Sequence, residues 1–142
     1  MTECVFCKIV NKEVPASVVY EDEELLAFKD INPLDKVHLL IIPKEHIESL
    51  LTCNPSNKNI LAKMLLLAPK LASKYGLKGF RTMINSGKEG GQEVFHIHFH
   101  MYGGSENLAK VIFLLNFHFH HTCENEYGIL LVRLLFLNLS SF

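Results

Sequence analysis

At 142 residues the chain has room for one domain with one sizeable core. A net charge of −1, with 49% apolar and 20% charged residues, marks an ordinary globular composition and excludes any global pull toward nucleic acid or an anionic membrane. Phosphate binding, if present, has to come from a local site. The four cysteines (Cys4, Cys7, Cys53, Cys123) are too few and too unevenly spaced for a disulfide framework, and no secretory pattern opens the chain. A reducing compartment, cytoplasm or nucleus, is therefore expected.

Residues 3–11, "ECVFCKIVN", predict a short first helix that cannot continue past Pro15. "SVVYED" (17–22) and "ELLAFKDI" (24–31) read as two strands of a hairpin joined by acidic turn residues. "NPLD" (32–35) is a turn by composition. "KVHLLIIP" (36–43) is a β-branched and leucine-rich run, expected as a buried strand ended by Pro43. From Ile60 to Tyr75 the apolar positions Ile60, Leu61, Met64, Leu65, Leu67, Ala68, Leu71 and Ala72 recur at helical spacing, with Gly76 as a stop and Pro69 as a kink point. "GFRTMINSG" (79–87) reads as a strand leading into a glycine-rich loop, and "EVFHIHFHMYGG" (93–104) as a further strand. That order predicts an α+β domain built on an antiparallel sheet with one main helix.

After residue 105 the composition changes. Residues 106–142 hold two of the 14 basic and three of the 15 acidic residues but five of the 10 phenylalanines. The domain is expected to span 1–105 and to be followed by an atypical, poorly ordered apolar extension over 106–142. The longest apolar run there, "YGILLVRLLFLNL", contains Arg133 and falls short of the ~20 residues of a transmembrane helix, so no membrane span is expected. Within it "FHFHHTC" (117–123) imitates an alternating histidine motif.

Chemistry concentrates at 93–104. Side chains on a strand alternate faces, so His96, His98 and His100 share one and Ile97, Phe99 and Met101 the other. Three readings compete. One is a merely His-rich surface, and a second is a metal site, since neutral imidazole is a common zinc ligand. The third is nucleophilic and acid–base catalysis at phosphorus. The preceding loop, "NSGKEGGQEV" (85–94), favours the third, because Gly87, Gly90 and Gly91 would let backbone N–H groups approach an anion, a cradle that a bare metal site does not need.

"GGQEVFHIHFHMYGG" (90–104) resembles the signature of the histidine-triad (HIT) superfamily, and the double glycine after "MY" is like its Hint branch. "CVFCKIVNKEVPASVVYEDEELLAFKDINPLDKVHLLIIPKEHI" (4–47) is similar to the N-terminal half of the same family, so the resemblance covers residues 3–104. It implies a HIT-like α+β protomer whose sheet continues across a homodimer. The implied activity is hydrolysis of a purine nucleoside 5′-monophosphate linked to an amine or aminoacyl group, through a covalent nucleotidyl-histidine and without a catalytic metal.

By motif position the resemblance makes His98 the nucleophile, through Nε2. His100 would contact the phosphate and assist proton transfer, and His38 is the fourth histidine of the site. Asp30 would grip the ribose hydroxyls, with Phe28 and Ile31 lining the base pocket. Asn85, Gly91, Gln92 and the backbone N–H groups of Glu93 and Val94 would surround the phosphate. A Glu93 carboxylate would repel that phosphate, so only its backbone is expected to take part. The resemblance stops near residue 105. The family's short tryptophan- and proline-containing tail is missing, and the chain has no tryptophan.

Cys4-x-x-Cys7 has the spacing of a zinc half-site. Zinc-binding relatives imply His46 and His96 as the remaining ligands of a structural zinc. Two buried thiols are the other reading. A second functional class stands beside the hydrolase: a low-turnover nucleotide-binding or interaction protein held together by that zinc.

Overall fold

The computed structural model describes residues 4–105. The expectations for 106–142, the apolar extension and its "FHFHHTC" stretch, lie outside the described residues.

The acidic turn after the first strand does what its composition predicts. Asp22 Oδ1 accepts from the N–H groups of Glu24 (2.8 Å) and Leu25 (2.7 Å), folding β1 (Val18–Glu21) back on β2 (Leu25–Lys29). The long apolar run becomes β3 (Val37–Pro43), which pairs antiparallel with β2 on one side and with β5 (Phe99–Gly103) on the other. A three-residue strand, β4 (Arg81–Met83), completes an antiparallel sheet of order β1-β2-β3-β5-β4. β3 is buried on both faces because each face carries a helix, which is why its sequence is continuously apolar rather than alternating.

On one face lies α2 (Lys58–Lys74), whose Met64, Leu67, Ala68, Leu71 and Ala72 pack against Leu25, Ala27, Leu39, Ile41, Phe99 and Met101. On the other lies α1 (Val5–Val10), whose Phe6 packs with Leu26, Phe28, Leu40 and Ile42. The even and odd positions of β2 and β3 thus feed two separate cores. Among the described residues no helix is long and apolar enough to cross a membrane.

As expected, α2 carries Pro69 inside it, on the exposed side. Three local expectations are corrected. Leu65, expected on the inner face of α2, is 50% exposed, because Met64 and Leu67–Ala68 already fill the face toward the sheet. The strand expected over 93–104 begins only at Phe99: the Ile97 N–H leaves the ladder to reach the Ile47 carbonyl (2.6 Å), and the His96 N–H turns back to Val94 (2.9 Å). The strand expected over 79–87 is trimmed to Arg81–Met83.

Met101 is fully buried between β5 and α2. Met101→Ala should therefore destabilise the chain by about 2–5 kcal/mol, read as a lowered urea midpoint, while the histidines on the opposite face keep their geometry.

Candidate active site

Pairing between β3 and β5 sets the site. His38 lies opposite Tyr102 and Leu40 opposite His100, so His38 and His100 are diagonal neighbours on the α1 face. His38 Nε2 lies 2.9 Å from His100 Nδ1 and 3.4 Å from Asp30 Oδ2. The Leu34 N–H donates to His38 Nδ1 (3.0 Å), which leaves the proton of a neutral His38 on Nε2. That proton is donated to His100 Nδ1, so His100 carries its own proton on Nε2. Among the described residues this buried Nε2–H has no hydrogen-bond partner. A polar donor left unpaired beside a cleft is costly unless a ligand accepts from it.

His98 is fixed from the other side. Its Nδ1 lies 2.7 Å from the His96 carbonyl, which only accepts, so Nδ1 carries the proton and Nε2 is bare. Burial pushes the His98 ring below the usual imidazole range, with the His96 carbonyl and the Asp30 carboxylate opposing. Burial, helped by the neighbouring His98 and His38 rings and opposed by Asp30, holds His100 down at about 4. His38 is lowered by burial against the pull of Asp30. Near neutral pH all three rings are uncharged, and His98 Nε2 is available as a nucleophile.

These side chains open on a cleft of about 940 Å³. Phe28, Asp30, Ile31, Asn85, Gly91, Glu93 and Val94 all line it together with His38, His98 and His100. Phe28 is buried in the wall, whereas Ile31 is 91% exposed and forms the rim. Asp30 Oδ1 accepts from the Asn32 N–H (2.8 Å), leaving lone pairs for a diol.

The loop's polar groups are largely spent within the protein. Gln92 is not among the residues that line the cleft. It is buried as a brace, accepting from the Gly87 N–H (2.9 Å) and donating to the carbonyls of Glu48 (2.7 Å) and Val94 (3.1 Å). Nor are the glycine N–H groups free for an anion: Gly90 donates to Gly87 and Gly91 to Lys88. The glycines shape the turn instead. A Cβ on Gly90 would sit 2.3 Å from the Ser86 carbonyl oxygen, and Gly91 has φ +77°. The N–H groups of Asn85, Glu93 and Val94 make no hydrogen bond among the described residues, and all three residues line the cleft.

His96 turns to a different cluster. Its Nε2 lies 2.9 Å from the Pro43 carbonyl, so Nε2 carries the proton and Nδ1 is bare. That Nδ1 is 3.5 Å from Cys4 Sγ and 3.6 Å from Cys7 Sγ, while His46 Nδ1 is 3.2 Å from Cys7 Sγ. The four ligating atoms lie within 4.8 Å of one another. Tetrahedral zinc places sulfur and nitrogen ligands about 3.5 Å apart, so the donor set and its spacing fit zinc. Asp30, His38 and His100 also bring three donor atoms within 4.8 Å. That set does not fit a metal, because the Leu34 N–H occupies His38 Nδ1 and the Nε2 proton is committed to His100.

Sequence reasoning did not find Phe6, whose ring centroid lies 5.2 Å from that of His98, nor the tautomer-setting Leu34 N–H. It also missed the wall formed by Val5, Ile9 and Pro15. The spacing of Val5, Phe6 and Ile9 on one helical face was the available signal.

A family model described as "Scavenger mRNA decapping enzyme C-term binding" matches residues 3–110. The chain is 54% identical over 104 residues to Protein HitA of Neisseria gonorrhoeae, covering 72% of this chain and 97% of that protein. The crystal structure of a HIT family hydrolase from Legionella pneumophila superposes with a TM-score of 0.72 at 48% identity, covering 73% of this chain and 95% of that one. A zinc-bound histidine triad family protein from Mycobacterium smegmatis superposes with a TM-score of 0.66 at 35% identity, covering 75% and 78%.

The depressed His100 ring gives stability a pH slope. His100 titrates at about 4 when folded and near 6.5 when unfolded. Between those values the unfolded chain binds more protons, so stability falls as pH falls through that window and levels off below it. Urea unfolding at stepped pH should show the decline, and His100→Phe should make it shallower, the buried His38 and His98 rings supplying part of what remains.

Proposed function

The chain belongs to the histidine-triad (HIT) superfamily, and on that premise we propose that it is a Hint-like nucleoside 5′-monophosphoramidate hydrolase working through His98. The observation that carries the reading is the bare Nε2 of an uncharged His98, held by its own Nδ1–H and set in the same cleft as the unpaired His100 Nε2–H and the Asp30 carboxylate.

In this reading Asp30 accepts from both ribose hydroxyls, and the base packs against the wall of Val5, Ile9 and Phe28. Those apolar surfaces favour a purine, the larger ring system, by its buried area. The phosphoryl oxygens receive hydrogen bonds from His100 Nε2–H and from the N–H groups of Glu93 and Val94. His98 Nε2 attacks the α-phosphorus. The P–N bond breaks, and the departing amine takes a proton from water in the open cleft. The nucleotidyl imidazolium is stabilised at Nδ1–H by the His96 carbonyl. Water then adds to phosphorus, the N–P bond breaks, the nucleoside monophosphate leaves, and His98 returns neutral.

Zinc, where bound by Cys4, Cys7, His46 and His96, would supply a structural tie rather than a Lewis acid, because His96 Nδ1 points away from the cleft histidines toward the sulfurs. Thiolate ligands suit a reducing compartment, cytoplasm or nucleus. The functional unit in this reading is a homodimer with a continuous sheet.

His98→Ala should lower turnover of adenosine 5′-phosphoramidate by about 10⁴-fold while AMP binding persists. Parent-like cleavage by this variant would end the reading. Asp30→Asn should weaken AMP binding about 10–100-fold through the lost charge-assisted bonds, measured by calorimetry. Sedimentation should give twice the 16.2 kDa chain mass.

A further inference from the structure

Cys4 and Cys7 bracket Phe6 in sequence, one before α1 and one within it. Phe6 is buried, and its ring stands edge-on to three others: Phe28 at 5.5 Å and 70°, His98 at 5.2 Å and 83°, and His96 at 5.9 Å and 73°. The His98 ring meets three groups: Nδ1 bonds the His96 carbonyl, and the rings of His100 (5.0 Å) and Phe6 (5.2 Å) pack beside it. Two of these restraints adjoin the four-ligand cluster: His96 is a member, and Phe6 lies between two members.

The two restraints differ in what holds them. His96 is secured independently of the thiols, by its Nε2–H on the Pro43 carbonyl and by the neighbouring Ile97 N–H on Ile47. α1 is not. It has six residues, its N-cap Cys4 makes no side-chain cap bond, and its first turn carries no acidic residue. A helix of that length does not persist by itself in water. Its position depends on the docking of Phe6 and on whatever ties Cys4 and Cys7 to the sheet.

Building on the hydrolase reading above, we propose that Phe6 and His96 are positioning residues for the nucleophile. With Cys4, Cys7, His46 and His96 sharing a metal, α1 is clamped to the segment before β5 and the loop after β3. The clamped Phe6 ring then helps hold the His98 ring in the orientation that points Nε2 at phosphorus. The cluster thereby tunes the chemical step and does more than staple the fold. Without the tie the sheet remains, α1 loosens, and the His98 ring, left with the carbonyl bond and the His100 ring, gains rotational freedom.

The full chain, labelled with ¹⁵N-histidine, tests this in its zinc-loaded and chelator-stripped forms. Long-range ¹H–¹⁵N spectra report the protonation state of each ring nitrogen. The loaded form should show one His98 species with Nε2 bare. Stripping should leave Nδ1 protonated but broaden the His98 ring cross-peaks as its plane is released, lower kcat on adenosine 5′-phosphoramidate about 10-fold and change KM by less than about three-fold. Phe6→Leu keeps all four ligands; it should bind one zinc per chain yet show the same His98 broadening and a similar fall in kcat. Identical His98 signals in the loaded and stripped forms overturn the proposal. So does a parent-like kcat in Phe6→Leu, or a native chain that takes up no stoichiometric zinc. Should the stripped chain unfold, zinc-loaded Phe6→Leu decides alone. Failure of the hydrolase reading shows separately, as undiminished cleavage by His98→Ala, and the ring spectra remain readable in that case.

Discussion

The contact between His98 Nδ1 and the His96 carbonyl, 2.7 Å long, decides what the polar face of the sheet can do. A neutral imidazole has one proton for two nitrogens, so whatever binds one nitrogen defines the other. The same constraint governs each triad ring. The Pro43 carbonyl takes the Nε2 proton of His96 and leaves Nδ1 facing two sulfurs. The His38 ring, itself set by the Leu34 N–H, occupies His100 Nδ1 and leaves an Nε2–H donor. Three identical side chains, two residues apart, present a bare Nδ1 to two sulfurs, a bare Nε2 to the cleft and an Nε2–H donor because three different backbone or ring partners select their tautomers.

The sheet keeps stability and chemistry on opposite faces of the same strands. Leu39 and Ile41 of β3, with Phe99 and Met101 of β5, serve the core beneath α2. His38 and His100, on the same two strands, serve the cleft beneath α1. Close packing on the first face fixes backbone positions for the second, where a shift of about 1 Å would break the 2.9 Å contact between His38 and His100. The polar residues are thereby preorganised by apolar ones that never touch a ligand.

Much of this was legible in the sequence because it is periodic. Period-two alternation in Ile97–Met101 gave the core face, and 3.6-residue spacing gave α2. The hairpin followed from turn chemistry at Asp22. What could not be read is what depends on distant partners. β5 starts late because Ile97 bonds Ile47, fifty residues away in the chain. Gln92 looks like a phosphate ligand beside glycines, yet its amide is spent on Glu48, Val94 and Gly87. The spacing of Cys4 and Cys7 showed half of a ligand set; the convergence of His46 and His96 on it came from family resemblance, not from any local pattern.

Cys4 and His96 meet across 92 residues of chain. On a ribosome adding ~5–20 residues each second, the segment bearing the thiols waits on the order of 5–20 s for its second histidine. During that interval the nascent chain presents two neighbouring sulfurs with an incomplete coordination shell, exposed to oxidants and to whichever soft cation arrives first. For a chain that binds zinc at this cluster, the order of synthesis makes metallation a late maturation event, completed only when nearly the whole sheet has been assembled.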